Sequence, residues 1–113
     1  MIKKTQKRKF KNDSYTKSRG SPAMLIMSCA DCQSYIMHYQ KDGPGLLKRC
    51  YLDRIHSPEF LKKRQYEPFD KKTFPKLKCP SCQTVIGTPM IYEKEKRSAY
   101  HLRQGFFSLN KIY

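Results

Sequence analysis

The sequence predicts a small, mainly β domain in which two similar halves close around one metal ion. Two Cys-x-x-Cys pairs, Cys29–Cys32 and Cys79–Cys82, supply four sulfur ligands. Each pair is followed by a segment rich in strand-forming residues. The chain has 113 residues, which is at most one ordinary domain, and so small a core is expected to need a metal or another cross-link for stability.

Residues 1–22 are predicted to form a basic, flexible arm. They carry eight basic side chains, one acidic side chain and few large apolar groups. Such a composition buries too little apolar surface to offset the entropy lost on ordering. The segment lacks the apolar stretch of a secretory signal, and nowhere does the chain reach the ~20 apolar residues of a membrane span. We therefore expect an intracellular protein, in the cytoplasm or associated with the nucleoid or nucleus, where cysteines bind metal more often than they form disulfides.

Residues 23–113 are predicted to form the metal-binding domain. In its first half, a short apolar strand over 23–27 leads into Cys29, and 34–40 form the next strand. Residues 41–45 contain Gly-Pro-Gly and predict a turn, after which 46–55 return as a further strand. This half is therefore a cysteine knuckle followed by a β-hairpin.

Residues 56–78 are predicted to be a basic insertion or linker between the halves. Ser57 precedes Pro58 in the arrangement of a capping residue before a first helical position, and 60–66 are expected to be helical. The remainder, up to Lys78, is expected to be an exposed basic connection.

The second half repeats the pattern of the first. Residues 29–36 and 79–86 share Cys-x-x-Cys-Gln-(Ser/Thr)-x-Ile at a constant offset of 50. A strand is expected on either side of an interruption at 87–89, followed by a charged turn at 93–97 and a returning strand. Two knuckle-plus-hairpin units are what a pseudo-symmetric four-sulfur site requires.

The four cysteines predict one structural Zn²⁺ ion held by Cys29, Cys32, Cys79 and Cys82. Four sulfurs leave no open coordination position for catalysis, so the protein is predicted to be non-enzymatic. An iron centre of the rubredoxin kind uses the same ligands and stays open as an alternative. A disulfide framework would leave Cys50 over, and this residue is expected to be a small buried side chain. His38, His56 and His101 are assigned structural roles.

The paired knuckles resemble those of the zinc-ribbon proteins, in which two hairpin-associated knuckles clamp one zinc. The resemblance covers roughly residues 24–113 in layout and is specific at the four cysteines. It departs from the usual pattern at Gln33 and Gln83, where ribbons commonly have glycine, and in the 46-residue gap between the pairs. The Cys79–Cys82 pair also resembles the redox pair of glutaredoxin-like proteins, but those pairs begin a helix and this one precedes strand formers.

The net charge of +15, from 24 basic and 9 acidic residues, predicts a polyanionic partner. Nucleic acid is expected, RNA or a ribonucleoprotein in preference to DNA, because aromatic residues interleave with the basic ones and can stack unpaired bases. Solubility alone, and rings that only fill the core, are the simpler interpretations. The alternative function is a protein-interaction module for an acidic partner or larger assembly; no small-molecule substrate or membrane is expected. The expected phosphate contacts are Lys3, Lys4, Lys7, Arg8, Lys9, Lys11, Lys48, Arg49, Arg54, Lys62, Lys63 and Arg64.

Overall fold

The computed structural model describes residues 10–113, and this part of the chain is mainly β. It contains eight strands in two four-stranded sheets and two short helices. All neighbouring strands are antiparallel. The predicted mainly-β class is therefore confirmed.

The first sheet has the strand order β4-β2-β1-β8. The strands are β1 (Pro22–Cys29), β2 (Tyr35–Asp42), β4 (Ile55–Ser57) and β8 (Phe107–Lys111). Strand β1 alternates buried and less buried side chains from Leu25 to Cys29, as expected for a strand packed on one face. Strand β2 instead has neighbouring buried residues, Ile36 with Met37 and Tyr39 with Gln40, so both of its faces are covered in part.

The second sheet has the order β3-β7-β6-β5 and comprises β3 (Arg49–Tyr51), β5 (Leu77–Lys78), β6 (Val85–Tyr92) and β7 (Arg97–Leu102). Strand β6 runs unbroken through the predicted interruption at 87–89. On one side, β6 pairs with β5 only as far as Gly87 and has no partner strand beyond it. Pro89 lies in this unpaired stretch, so its lack of a backbone N–H removes no hydrogen bond to β5. At Gly87 itself a Cβ atom would lie 3.1 Å from the carbonyl oxygen of His101, which explains the glycine.

The predicted hairpin in the first half forms only in part. Ile55, at the end of the predicted returning strand, begins β4 and pairs antiparallel with Tyr39 of β2. Residues 49–51 form β3, which pairs with β7 of the second sheet and not with β2. In return, β8, from the end of the chain, pairs with β1 of the first sheet. The reason is burial: Leu47, Cys50 and Leu52 belong to one core cluster that also contains residues of both sheets. Each half of the chain therefore contributes one strand to the sheet of the other half.

Residues 10–22, which the sequence places in a flexible arm, are held against the domain. Helix α1 (Ser14–Arg19) begins at Asp13, whose side chain accepts hydrogen bonds from the backbone N–H groups of Tyr15 and Thr16. The fully buried side chain of Gln40 accepts from the backbone N–H of Lys11 and donates to its carbonyl, each at 2.8 Å. These contacts are polar, and an argument from apolar content does not detect them. The segment also makes a ring contact, between Phe10 and Tyr113, with centres 5.7 Å apart. Residues 1–9 lie outside the described part.

The region between the halves contains the predicted helix. Helix α2 (Glu59–Lys62) continues into a 3-10 turn (Lys63–Tyr66), and a second 3-10 turn covers Leu52–Arg54. Ser57 does not cap the helix; its hydroxyl bonds instead with Tyr35 and His38. The connection up to Lys78 is not wholly exposed, because Phe74 is buried in the core.

Candidate metal centre

The two cysteine knuckles have the same backbone structure. The first joins β1 to β2 and the second joins β5 to β6. In each, the first cysteine donates its N–H to the carbonyl five residues ahead and accepts from the N–H four residues ahead; the four distances lie between 2.8 and 3.0 Å. The internal sequence repeat therefore corresponds to a structural repeat.

Gln33 and Gln83 occupy the left-handed position of their knuckles, with φ of 63° and 67°. This is the position at which glycine is expected, since L-residues rarely adopt positive φ. Each glutamine side chain donates back to a carbonyl of its own knuckle, Gln33 to Ala30 and Gln83 to Pro80. The departure from glycine thus leaves the knuckle conformation intact.

The four sulfur atoms converge on one point. Cys32 Sγ lies 3.5 Å from Cys79 Sγ, Cys29 Sγ lies 3.7 Å from Cys82 Sγ, and all four atoms lie within 4.8 Å of one another. A zinc–sulfur bond of about 2.3 Å places the sulfurs of a regular tetrahedron about 3.8 Å apart. All four cysteines are free thiols, which removes the disulfide alternative. The group can therefore hold a metal ion, with a donor set and spacing that fit tetrahedral zinc.

Burial and hydrogen bonding divide the four thiols into two kinds. The first cysteine of each pair is buried and the second is exposed. Each exposed sulfur bonds with a hydroxyl two residues ahead: Cys32 with Ser34 at 3.3 Å and Cys82 with Thr84 at 3.0 Å. Hydrogen bonding with Ser34 lowers the pKa of Cys32 to about 6, and the bond with Thr84 lowers the pKa of Cys82. Ready deprotonation at the exposed positions favours metal binding, because the thiolate is the ligand.

The fifth cysteine is separate from this centre. Cys50 is fully buried, its sulfur lies 3.4 Å from Met37 Sδ, and burial raises its pKa well above the ordinary value. The Cys79–Cys82 pair lies between two strands and begins no helix, unlike a glutaredoxin-type pair.

The histidines also lie apart from the sulfur cluster. Within residues 10–113, the only group of three or more potential ligands is the four-cysteine group. His38 bonds with Tyr35 and Ser57, and His56 bonds with Gln40. Burial, with the nearby charge of Lys11, lowers the pKa of His56 to about 4.

The predicted phosphate contacts are dispersed over the structure. Lys3, Lys4, Lys7, Arg8 and Lys9 lie outside the described residues. Lys48 and Lys63 are exposed; Lys11, Arg49, Lys62 and Arg64 are partly buried. The guanidinium of Arg64 donates to the hydroxyl of Tyr100 at 2.8 Å, and that of Arg49 lies 4.0 Å from the centre of the Tyr92 ring.

Arg54 differs from the other predicted phosphate contacts in the described residues, because it does not lie at the surface. Its side chain is only 1% exposed and is paired with two carboxylates, Asp13 at 2.6 Å and Asp42 at 2.8 Å. It holds α1 against the first sheet. The sequence shows the positive charge of Arg54 but not its two acidic partners, Asp13 and Asp42, which lie 41 and 12 residues away along the chain.

Comparisons with protein-family models, with curated proteins and with solved structures found no match. None of the helices described here is long and apolar enough to cross a membrane.

Proposed function

We propose that the protein is a non-enzymatic module of the zinc-ribbon type, with one structural Zn²⁺ on Cys29, Cys32, Cys79 and Cys82, that binds nucleic acid. The observation that carries the metal part is the convergence of four free sulfurs within 4.8 Å of one another, with two of the distances at 3.5 and 3.7 Å. Four protein ligands complete the coordination of zinc and leave no position for a reacting water. Free thiols in this number suit a reducing compartment inside the cell.

The nucleic-acid part rests on charge and on exposed aromatic rings. Among residues 10–113 the exposed cations outnumber the exposed carboxylates. Phe60, Tyr66 and Phe106 are exposed, and two of these rings have a guanidinium nearby: Arg64 by Phe60 and Arg103 by Phe106. Rings beside cations suit single-stranded RNA, whose unstacked bases can lie on the rings while phosphates meet the charges.

Metal analysis of the purified protein tests the first part. We expect one zinc per chain, loss of that zinc in Cys79→Ser, and retention in Cys50→Ala, which changes a cysteine outside the cluster. Binding of a structural zinc contributes about 10–16 kcal/mol, against a total stability of about 5–15 kcal/mol for a typical domain. Chelation should therefore unfold the protein, as followed by circular dichroism. A folded metal-free protein, or iron in place of zinc, would contradict this part.

Fluorescence anisotropy with labelled oligonucleotides tests the second part. We expect single-stranded RNA to bind more tightly than duplex RNA or DNA, with affinity that falls as salt rises. Tyr66→Ala should weaken binding by about 1–3 kcal/mol, the contribution of one stacked base. Ile91→Ala is the control, because Ile91 is an exposed residue (40% against 79% for Tyr66) that is not aromatic and does not line the cavity described below. Absence of binding at low salt would remove the nucleic-acid part.

A second candidate function, docking to an acidic partner protein, is favoured by strand β8. This strand pairs only with β1 in the described part of the chain, and most of its residues are exposed. An open strand edge can add a strand from a partner. Affinity purification after nuclease treatment separates the two functions: a partner retained without nucleic acid supports docking.

A further inference from the structure

A cavity of about 110 Å³ lies where the end of α1, the 44–49 loop and both sheets meet. Six cationic side chains line it: Arg19, Lys41, Lys48, Arg49, Arg54 and Arg97. Asp42 is the only acidic residue in the lining. The cavity is several times larger than the ~30 Å³ that a water molecule occupies in the liquid, so a phosphate-sized group has room in it.

Two buried donors belong to this lining. Arg54 Nη1 and Arg97 Nε are buried and have no hydrogen-bond partner among residues 10–113. Their side chains are 1% and 6% exposed. Buried guanidinium nitrogens without an acceptor are costly, and such groups are nearly always satisfied in folded proteins. An anion in the cavity is a natural acceptor for them.

The balance of charged side chains around the cavity indicates what net charge a ligand should carry. Four carboxylates pair with the lining cations: Asp13 and Asp42 with Arg54, Asp53 with Arg97, and Glu95 with both Arg97 and Arg19. Six cations against four carboxylates leave two positive charges uncompensated. Lys41, Lys48 and Arg49 form no ion pair with a carboxylate in the described residues. Lys41 donates to the carbonyl of Gly43 at 2.6 Å and Arg49 to the hydroxyl of Tyr51 at 3.1 Å, so their charges are not neutralised by these bonds. A dianion matches this excess.

The guanidinium groups are held in position by aromatic rings. Arg97 lies 3.8 Å from the ring centres of both Tyr15 and Tyr51, and Arg49 lies 4.0 Å from that of Tyr92. A planar guanidinium can hold a tetrahedral oxyanion through two nitrogens, and Arg49 has both terminal nitrogens available because only its Nε donates, to the hydroxyl of Tyr51. Arg54 and Arg97 each add one unpaired nitrogen. We propose that this cavity is a binding site for a phosphate group, carried either by a small phosphate compound or by the end of a nucleic acid chain.

Calorimetric titration of the zinc-loaded full chain with inorganic phosphate tests the site without any nucleic acid. We expect saturable binding at one site per chain that acetate does not reproduce. Lys48→Gln combined with Arg49→Gln should weaken it by about tenfold or more, the loss that follows from removing a hydrogen bond to a charged group. Lys71→Gln combined with Lys72→Gln removes two exposed charges outside the cavity and should leave the affinity unchanged.

Lys48→Glu provides a second variant in case loss of Arg49 disturbs packing, because Lys48 is exposed and its replacement should not affect folding. It should abolish phosphate binding while circular dichroism and zinc content stay normal. Non-saturable titration, or equal losses in cavity and control variants, would overturn the proposal.

RNA oligonucleotides of one sequence, with a 5′-phosphate or a 5′-hydroxyl end, identify the source of the phosphate. If the ligand is the end of a nucleic acid chain, the protein should bind the 5′-phosphorylated RNA more tightly than the 5′-hydroxyl RNA, and pyrophosphate should compete with it. If the ligand is a small phosphate compound, the two RNAs should bind equally while inorganic phosphate still binds. Failure of all RNA binding would remove the proposed nucleic-acid function and leave the phosphate titration as an independent result.

Discussion

Replacement of Arg54 by methionine tests whether one buried guanidinium holds α1 on the first sheet. The change removes hydrogen bonds to Asp42 at 2.8 Å, Asp13 at 2.6 Å and Thr16 at 3.2 Å. The Asp13 side chain is 43% exposed and can regain water, whereas that of Asp42 is 5% exposed and stays buried without its partner. Asp42 therefore dominates the loss, and breaking such a buried pair costs about 3–5 kcal/mol.

Urea denaturation of the zinc-loaded proteins measures this loss as the free energy of unfolding. Lys71→Met is the control, since Lys71 is exposed and forms no ion pair with a carboxylate in the described residues, and it should cost no more than about 0.5 kcal/mol. Adding Asp42→Asn to Arg54→Met removes the unpaired charge and should restore part of the stability. Two results would refute the argument that the buried Arg54–Asp42 ion pair dominates the loss. One is a fall of less than about 1 kcal/mol in the free energy of unfolding of Arg54→Met, and the other is a double variant no more stable than Arg54→Met alone.

Three further predictions concern stability, measured in the same way. Both Gly43 (φ +81°) and Gly45 (φ +107°) have a backbone conformation that disfavours alanine, but only at Gly43 would the new Cβ atom clash, with the carbonyl oxygen of Arg19. Gly43→Ala should therefore lower the free energy of unfolding more than Gly45→Ala does. Equal losses in the two variants would contradict the clash. Tyr39→Phe leaves the buried N–H of Tyr51 without its 2.8 Å acceptor and should cost about 1–3 kcal/mol, so a neutral change would contradict the bond. The pKa of His56 is about 4 in the fold and about 6.5 when unfolded, so the unfolded chain binds the proton first and stability falls as the pH drops from about 6.5 to about 4. His56→Gln should lose less stability over this range, with thiolate protonation common to both proteins; parallel curves would contradict the assignment.

The metal centre was predictable because its information is local. Each knuckle is specified by the residues between its two cysteines and the two that follow, and both copies take the same hydrogen bonds. The tetrahedral ligand set then requires the two knuckles to meet, whatever lies between them. Strand formers next to the knuckles were enough to predict the mainly-β class and the hairpin of β6 and β7.

The order of residues 10–22 was not predictable from composition. Their attachment includes single long-range polar contacts, Arg54 with Asp13 and Gln40 with Lys11, which composition does not reveal. A buried arginine looks the same as a surface one in sequence, because only its partners distinguish them. For the same reason Arg97, buried between Tyr15 and Tyr51, was missed as a candidate binding residue.

The exchange of β3 and β8 between the halves explains why the two knuckles can form one centre. A hairpin within each half would leave two separate sheets joined only by the metal and the linker. Instead, β3 ties the first half to β7, and β8 ties the second half to β1, next to Cys29. The core cluster then includes Cys29 and Cys79 themselves together with residues from both sheets. A metal ion at the four cysteines would therefore stabilise the same junction as core packing, which is why loss of the proposed ion is expected to unfold the whole domain and not the knuckles alone.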